Sequence, residues 1–202
     1  ALRAAGKKIV FVNCSGSAMG LVPEEANSDA ILQAWYGGER GGQAVAEILF
    51  GDVNPCGKLP LTFYKNVEQL PEYENYSMEG RTYRYFRGEP LYDFGYGLSY
   101  TTFDYGKPKF NQKKLSMTVN VKNTGRMDGT EVVQLYLKRV ADAEGPIKSL
   151  RGYQRVALKQ GESKDVTIRM NRDDFETWDA QTNTMRVVPG KYQLMVGSSS
   201  RA

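Results

Sequence analysis

The chain has no histidine, so acid–base or nucleophilic chemistry has to come from carboxylates, tyrosines or lysines. This excludes the Ser-His-Asp triad, the Cys-His pair and zinc sites with imidazole ligands. Two carboxylates can hydrolyse a glycosidic bond when they lie about 5–5.5 Å apart (retention) or about 6.5–9.5 Å apart (inversion). The spacing singles out no such pair, and each carboxylate also fits a solvated or capping role. The candidates in predicted loops are Glu24, Glu25, Glu39, Glu79 and Asp93.

Two short segments have the composition of functional turns but lack the residues that such turns require. Residues 14–17 (CSGS) follow a predicted strand, at the place where open α/β sheets bind ligands. A serine or cysteine nucleophile there would need an activating base, and no histidine is available. Residues 37–42 (GGERGG) lack both the Gly-Lys-Ser/Thr ending and the G-x-G-x-x-G spacing of phosphate-binding loops. We expect these glycines to allow close strand–helix packing.

Charge and composition restrict the possible partners. The net charge is +4, and the basic residues are dispersed among acidic ones. Arg81, Arg84 and Arg87 alternate with aromatic residues, a pattern found in single-strand nucleic-acid sites but also in a strand with one solvated face. The sequence has no apolar run of about 18 residues. We therefore expect neither a nucleic-acid partner nor a membrane span.

The cysteines and the aspartate cluster indicate no disulfide and no metal. Cys14 and Cys56 lie far apart in different kinds of segment, which favours two free thiols. Asp173, Asp174 and Asp179 lack the spacing of an EF-hand calcium loop and fit turn and capping roles. No metal and no cofactor is predicted.

The first fifty residues have the pattern of an α/β domain. Residues 9–14 are continuously apolar, which is typical of a strand buried on both faces. Residues 30–36 form a second apolar segment, which we predict to be a strand. Residues 43–50 place Ala44, Val45, Ile48 and Leu49 on one helical face, and Gly51 then ends the helix.

Residues 54–110, which we call the connector, are rich in glycine, proline and tyrosine and predict little regular structure. A long irregular segment of this kind is usually functional or covers a neighbouring surface. Tyrosines provide large amphipathic area, which suits inter-domain packing or the rim of a sugar site.

The last ninety residues have the period-two pattern of an all-β domain. Strands are predicted at 115–122, 132–138, 153–158, 164–170, 184–188 and 191–197, separated by glycine-containing turns. About seven short strands in this length describe an immunoglobulin-like or fibronectin-like β-sandwich. Its predicted core consists of Leu135, Leu137, Val166, Ile168, Tyr192, Leu194 and Val196.

Several long motifs, in order, resemble glycoside hydrolase family 3. Residues 31–63 (ILQAWYGGERGGQAVAEILFGDVNPCGKLPLTF) resemble the family's carboxy-terminal α/β-sandwich domain, and 91–103 (LYDFGYGLSYTTF) resemble the segment that follows it. Residues 119–136, 150–155 and 189–192 resemble its fibronectin type III-like domain. The resemblance implies a partial α/β-sandwich domain with connector at residues 1–105 and a fibronectin type III-like β-sandwich at 106–202.

The resemblance also implies an activity whose catalytic residues lie elsewhere. Family members are retaining exo-β-glycosidases, chiefly β-glucosidases and β-xylosidases, acting on β-linked oligosaccharides and aryl glycosides. Their nucleophilic Asp lies in an amino-terminal TIM barrel, and their acid/base Glu usually precedes the strand that residues 8–14 resemble. We expect this chain to lack both, together with the barrel and the first half of the α/β domain. A periplasmic or secreted location is expected from the family.

Residues 80–86 followed by 91–103 resemble the β-xylosidase and arabinosidase branch more than the β-glucosidase branch. The family resemblance implies that Glu79, Arg81 and Tyr83 lie on a loop that either approaches the substrate cleft or anchors itself to the barrel. The alternative function is a non-catalytic sandwich that binds polysaccharide or protein. It would need exposed aromatics such as Phe175 and Trp178, although a buried Trp is normal in this fold. The first half alone is expected to expose an unusually large apolar patch.

Overall fold

The amino-terminal part contains a small parallel sheet with two helices. A computed structural model describes all residues, 1–202. Strands β1 (Val10–Asn13) and β2 (Ala30–Gln33) pair in parallel, and helix α1 (Val22–Asn27) lies between them in the chain. Both strands were predicted, whereas α1 was not. It starts with a proline in its first turn and two glutamates, which suit a helix amino terminus.

Helix α2 (Gly41–Phe50) confirms the predicted helix and starts two residues earlier than predicted. Gly51 ends it in the left-handed conformation with φ 83°, where a side chain would be strained. No residue of α2 is buried, and Phe50 is 85% exposed. The apolar residues of this helix therefore receive little cover within the chain.

Strand β1 is less buried than its continuous apolar sequence predicts. Val10 is 48% exposed, and Phe11 and Val12 are only partly buried. The burial on both faces that is typical of such a strand is not reached within this chain, in which β1 pairs with one strand only. Many large apolar side chains of the first half are exposed, as expected, and the size of a contiguous apolar patch stays a prediction.

The connector is largely irregular, as predicted, but it contains short regular elements. A 3₁₀ turn spans Val67–Gln69, and helix α3 spans Thr82–Tyr85. At its end, the connector enters the sandwich through β3 (Phe103–Tyr105) and β4 (Lys109–Asn111). The proposed domain boundary between residues 105 and 106 stays a prediction.

Two antiparallel sheets form the β-sandwich. One sheet has the order β11–β6–β7. In the other, β5 pairs with β3 and β4 along one edge and with β8 along the other, while β9 and β10 form a separate hairpin. The bounds are β5 (Ser116–Asn123), β6 (Gly129–Arg139), β7 (Ser149–Leu158), β8 (Ser163–Arg169), β9 (Glu176–Asp179), β10 (Thr184–Val187) and β11 (Tyr192–Gly197).

The sandwich core lies between these sheets and matches the alternating pattern. Leu135, Leu137, Val166 and Ile168 are buried, as predicted. Leu194 and Val196 pack against the core while remaining partly exposed, and Tyr192 is also partly buried. The fully buried members of the core include Val121 and Val133. Alternation therefore located the inward-facing side chains of β5, β6 and β8 correctly.

The cysteines and two of the clustered aspartates have the roles that the sequence predicts. Cys14 and Cys56 are free thiols. Asp174 accepts a hydrogen bond from the Asn171 backbone N–H at 2.7 Å, and Asp179 accepts one from the Gln181 N–H at 2.9 Å, which confirms capping and turn roles. Trp178 differs from the buried tryptophan normal for this fold, because it is 56% exposed. None of the helices has the length and apolar character of a membrane span.

Candidate functional site

The carboxyl ends of β1 and β2 are joined by a polar network. Asn13 Nδ2 donates to Gln33 Oε1 at 2.6 Å and to Ser15 Oγ at 3.0 Å. Ser15 Oγ also accepts from Gln33 Nε2 at 3.2 Å and donates to the carbonyl of Ser17 at 3.0 Å. Because the Ser15 hydroxyl is buried and fully engaged in these bonds, it positions the turn rather than acting as a nucleophile.

A row of aromatic rings joins this end of the sheet to the connector. Trp35 has a left-handed backbone (φ 55°), and its ring contacts buried Phe63 edge-on at 6.2 Å. Phe63 lies against Tyr92, which stacks on Tyr96 at 5.5 Å. The Tyr92 hydroxyl donates to Glu25 at 3.2 Å, and burial together with the charge of Glu25 raises the pKa of Tyr92 to about 12.

Arg81 organises the loop that contains Glu79. Its guanidinium donates to the backbone carbonyls of Asn75 at 2.6 Å and Ser77 at 3.0 Å. Ser77 Oγ accepts the backbone N–H of Glu79 at 3.1 Å. The Glu79 side chain itself is exposed and has no hydrogen bond or ion pair. The loop is thus held by Arg81, and the carboxylate of Glu79 remains available.

Tyr83, in α3, lies between the connector and the sandwich. Its hydroxyl accepts the Leu150 backbone N–H at 3.0 Å. Its ring stacks on Phe94 with 4.3 Å between centroids and meets Tyr136 edge-on at 5.9 Å. These contacts occupy the Tyr83 side chain with packing between the two parts of the chain.

The remaining candidate carboxylates do not form a catalytic pair. Glu25 is bonded to Tyr92, and Asp93 forms an ion pair with Arg201 at 2.9 Å. Glu24 lies in the first turn of α1, and Glu39 is exposed in the glycine-rich turn. No three acidic or cysteine side chains come together in a way that could hold a metal ion.

The residues that join the connector to the sandwich were not predicted from the sequence. Lys58 Nζ lies 3.1 Å from Glu131 Oε1 and donates to the Gly97 carbonyl at 3.0 Å, with both charged side chains largely buried. Burial and the charge of Glu131 raise the pKa of Tyr105 far above its usual range. The signal for this junction was a charged residue, Glu131, within an otherwise apolar strand.

Gln134 forms a second contact of this junction. Its Nε2 donates to the carbonyls of Gly95 at 3.1 Å and Ser198 at 2.7 Å, and its Oε1 accepts the Tyr136 hydroxyl. A Cβ at Gly95 would lie 2.1 Å from Gln134 Oε1, and Gly95 also has φ 80°. Only glycine fits this approach of the connector to β6.

Both parts of the chain match known domain families. Residues 1–100 match the family model described as glycosyl hydrolase family 3 C-terminal domain, and residues 131–200 match the one described as fibronectin type III-like domain.

Relatives of known name match nearly the whole chain. A xylan 1,4-beta-xylosidase from Xylanibacter ruminicola is 53% identical over 99% of the chain, and a periplasmic beta-glucosidase from Salmonella typhimurium is 39% identical over 99%. The chain spans 24% and 28% of the lengths of these two proteins.

Solved structures have the same architecture. A family 3 beta-glucosidase from Bifidobacterium adolescentis superimposes with a TM-score of 0.88 at 34% identity, covering 98% of the chain and 32% of that enzyme. A beta-glucosidase from Kluyveromyces marxianus gives a TM-score of 0.87 at 36% identity, covering 99% of the chain and 26% of that enzyme.

Proposed function

Because this chain belongs to glycoside hydrolase family 3, we propose that it is part of a retaining exo-β-glycosidase that removes terminal β-linked xylose or glucose from oligosaccharides. The observation that supports this most directly is the 53% identity to a xylan 1,4-beta-xylosidase over 99% of the chain. Retention requires two carboxylates about 5–5.5 Å apart, one as nucleophile and one as acid/base.

We propose that residues outside 1–202 supply both catalytic carboxylates. In support, Glu25 and Asp93 are engaged with Tyr92 and Arg201, and the chain spans about a quarter of the length of the xylosidase it matches. In this proposal the α/β part forms one wall of the substrate cleft. The uncovered apolar residues of β1 and α2 would then be covered by the rest of the enzyme.

We further propose that Glu79, Arg81 and Tyr83 form the substrate-binding part of this wall. Glu79 would contact a sugar hydroxyl, because its carboxylate is exposed and has no partner within the chain. Arg81 and Tyr83 would act mainly by positioning, since their polar atoms bond to the loop and to β7.

Hydrolysis by the purified chain tests the location of the catalytic carboxylates. We expect no hydrolysis of nitrophenyl β-D-xyloside or nitrophenyl β-D-glucoside above the rate in buffer. Hydrolysis that follows the chain through purification, at any rate above that background, would show that residues 1–202 contain a complete site and would overturn the proposal.

A transplant tests the parent activity and the loop together. The segment of the Xylanibacter ruminicola xylosidase that aligns with this chain would be replaced by residues 1–202. We expect the chimera to hydrolyse nitrophenyl β-D-xyloside. In it, Glu79→Gln should raise KM about tenfold, as expected from the loss of about 1.4 kcal/mol of binding. A folded but inactive chimera would contradict the proposed activity.

The matched control for Glu79 is Glu74→Gln. Glu74 is an exposed carboxylate in the same loop and likewise has no ion pair. An equal effect of the two substitutions on KM would indicate a general charge effect of the loop. It would contradict a sugar contact made by Glu79.

A further inference from the structure

A cleft lies between the connector and the sandwich. It has a volume of about 340 Å³, at the lower end of the range for small-molecule sites. One wall is α3, another is the β9–β10 hairpin, and the floor comes from β6 and β7. This size suits one or two sugar units rather than a long polymer. Its lining includes Arg84, Tyr85, Arg151, Phe175, Glu176 and Trp178.

A β-bulge places Arg151 in this cleft. Leu135 on β6 pairs with Gly152, but the next residue, Tyr136, pairs with Leu150, so Arg151 is the extra residue of β7. Bulges redirect a side chain and are frequent beside binding sites. The residue after the bulge, Gly152, has no room for a side chain, because a Cβ there would lie 2.6 Å from Ile168 Cγ2.

Two guanidinium groups in the cleft have unused hydrogen-bond donors. The Nε atoms of Arg84 and Arg151 are buried, and neither donates to any protein atom. Neither arginine forms an ion pair, and Arg151 reaches only the backbone carbonyl of Glu176, at 3.4 Å. Buried donors are normally satisfied, so an acceptor that reached both would gain charge-assisted bonds.

The other charges of the cleft do not neutralise this arginine pair completely. Arg139 is already paired with Asp142 at 2.6 Å. Glu176 also lines the cleft and forms no ion pair. Three guanidiniums therefore line the cleft against two carboxylates, which favours an anionic ligand over a cationic one.

Aromatic side chains line the same cleft. Trp178 is 56% exposed, and Phe175 meets Tyr192 edge-on at 5.5 Å. The Arg84 guanidinium lies 5.6 Å from the Tyr85 ring centre. The C–H face of a pyranose can rest on such a ring, whose face is electron-rich. An exposed tryptophan beside two arginines thus combines a sugar platform with a carboxylate clamp.

From this combination we propose that the cleft binds a saccharide that bears a carboxylate, that is, a uronic acid residue. The carboxylate accepts hydrogen bonds from Arg84 and Arg151, and the pyranose ring packs on Trp178. Binding is non-covalent and requires no catalytic step. This site goes beyond the proposed glycosidase function and does not depend on it.

Calorimetric titration of the full chain tests the proposal with three probes. Methyl β-D-glucuronide carries both features, methyl β-D-glucoside lacks the carboxylate, and sodium acetate lacks the ring. We expect saturable binding of the glucuronide, with the glucoside and acetate each at least about tenfold weaker, as expected for the loss of a charge-assisted hydrogen bond or of the ring contact.

Three variants assign the binding to the cleft. Arg151→Gln and Trp178→Ala should each weaken glucuronide binding about tenfold or more. Arg169→Gln, a substitution of an exposed arginine on β8 that has no ion pair, should leave it unchanged. Circular dichroism establishes that each variant is folded, and the exposed position of Trp178 makes that variant informative even if Arg151→Gln unfolds.

Four results would overturn the proposal. No saturable binding of the glucuronide at millimolar concentrations would exclude the site. Equal binding of glucoside and glucuronide would exclude the carboxylate clamp, and equal binding of acetate and glucuronide would reduce the site to a simple anion site. Unchanged affinity in Trp178→Ala would place the ligand elsewhere.

Discussion

The two parts of this chain differ in how completely they cover their own apolar side chains. Eleven of the thirteen buried hydrophobic residues lie in the sandwich. Only two, Leu21 and Phe63, lie in the first hundred residues. The large exposed hydrophobics have the opposite distribution, and most of them lie in the first half. The two parts have similar lengths, so size alone does not explain the difference.

Sheet architecture explains the contrast. Two facing sheets bury alternate side chains of every central strand, so the sandwich completes its core with its own residues. A parallel strand needs cover on both faces. Strand β1 belongs to a sheet of only two strands, and its apolar side chains are at most partly buried, so this cover is incomplete. We expect substitutions in the sandwich core to affect stability strongly and equivalent substitutions in α2 to affect it little.

The largest expected effect is that of Leu135→Ala. Leu135 is fully buried in the sandwich, and truncation should lower the free energy of unfolding by about 2–5 kcal/mol through lost burial and a cavity. Leu49→Ala in α2 is the matched change, because Leu49 is 41% exposed, and it should cost much less. Urea unfolding monitored by circular dichroism compares them. Equal costs would contradict the contrast between the two parts.

The junction between the two parts should give the next largest effect. Glu131→Gln removes the charge that pairs with Lys58 but keeps an oxygen that can accept the Val132 N–H. We expect a loss of about 1.5–3 kcal/mol, the range for hydrogen bonds to charged groups. Lys164→Gln, which removes an ion pair exposed to solvent, is the control and should change stability by less than about 1 kcal/mol.

The Glu131→Gln variant also tests whether the connector and the sandwich unfold together. If the junction joins the parts into one cooperative unit, this variant should unfold in two steps, with the connector released before the sandwich. Fluorescence of Trp35, which contacts Phe63 of the connector, and circular dichroism from the sheets would then give different midpoints, measured in a Trp178→Phe background so that Trp35 is the single tryptophan. Coincident midpoints would show that the parts remain coupled without this ion pair.

The sequence predicted those parts of the fold whose side chains follow a local period. Strand β5 alternates Val119 and Val121 with polar residues, and the structure buries both. Helix α2 likewise followed its helical period to Gly51. Helix α1 was missed because six residues with an early proline provide too short a period, although Glu24 and Glu25 in the first turn were a usable signal.

The binding features depended on contacts that local patterns do not contain. The bulge at Arg151 depends on the register between β6 and β7, and the Lys58–Glu131 pair joins residues far apart in the chain. The exposure of Trp178 depends on the separate β9–β10 hairpin, which pairs with neither sheet of the sandwich. Each requires the relative placement of distant elements, so neither composition nor spacing predicted it.

Tyr83→Phe should have a smaller effect than Glu131→Gln. It keeps the ring that stacks on Phe94 but removes the acceptor of the Leu150 N–H. We expect a loss of about 1 kcal/mol, the net value of one hydrogen bond. Tyr153→Phe is the control, because Tyr153 is 65% exposed and its hydroxyl has no partner. If Tyr153→Phe lowered the free energy of unfolding as much as Tyr83→Phe, the loss in Tyr83→Phe could not be assigned to the hydrogen bond with Leu150.

The smallest expected effect is a local, pH-dependent one in the amino-terminal part. The Ile9 backbone N–H donates to Asp29 at 2.9 Å, and this bond, followed by the Lys8 side chain, holds the pKa of Asp29 below its ordinary value of 3.8. A lowered pKa in the folded state stabilises that state above the ordinary value, and the stabilisation is lost as the pH falls through the lowered pKa.

The exchange of the Ile9 amide hydrogen, expressed as a protection factor, measures this bond directly. Protection should be constant above about pH 5 and fall as the pH drops through the ordinary value of 3.8 and then through the lowered pKa of Asp29, while Asp29→Asn should show little pH dependence. Glu162, whose pKa is lowered by the Lys159 N–H in the sandwich, provides the comparison. If the amino-terminal part opens independently, Asp29→Asn changes exchange at Ile9 and leaves that at Lys159 unchanged. Parallel changes at both amides would mean that the two parts open as one unit despite their unequal cores.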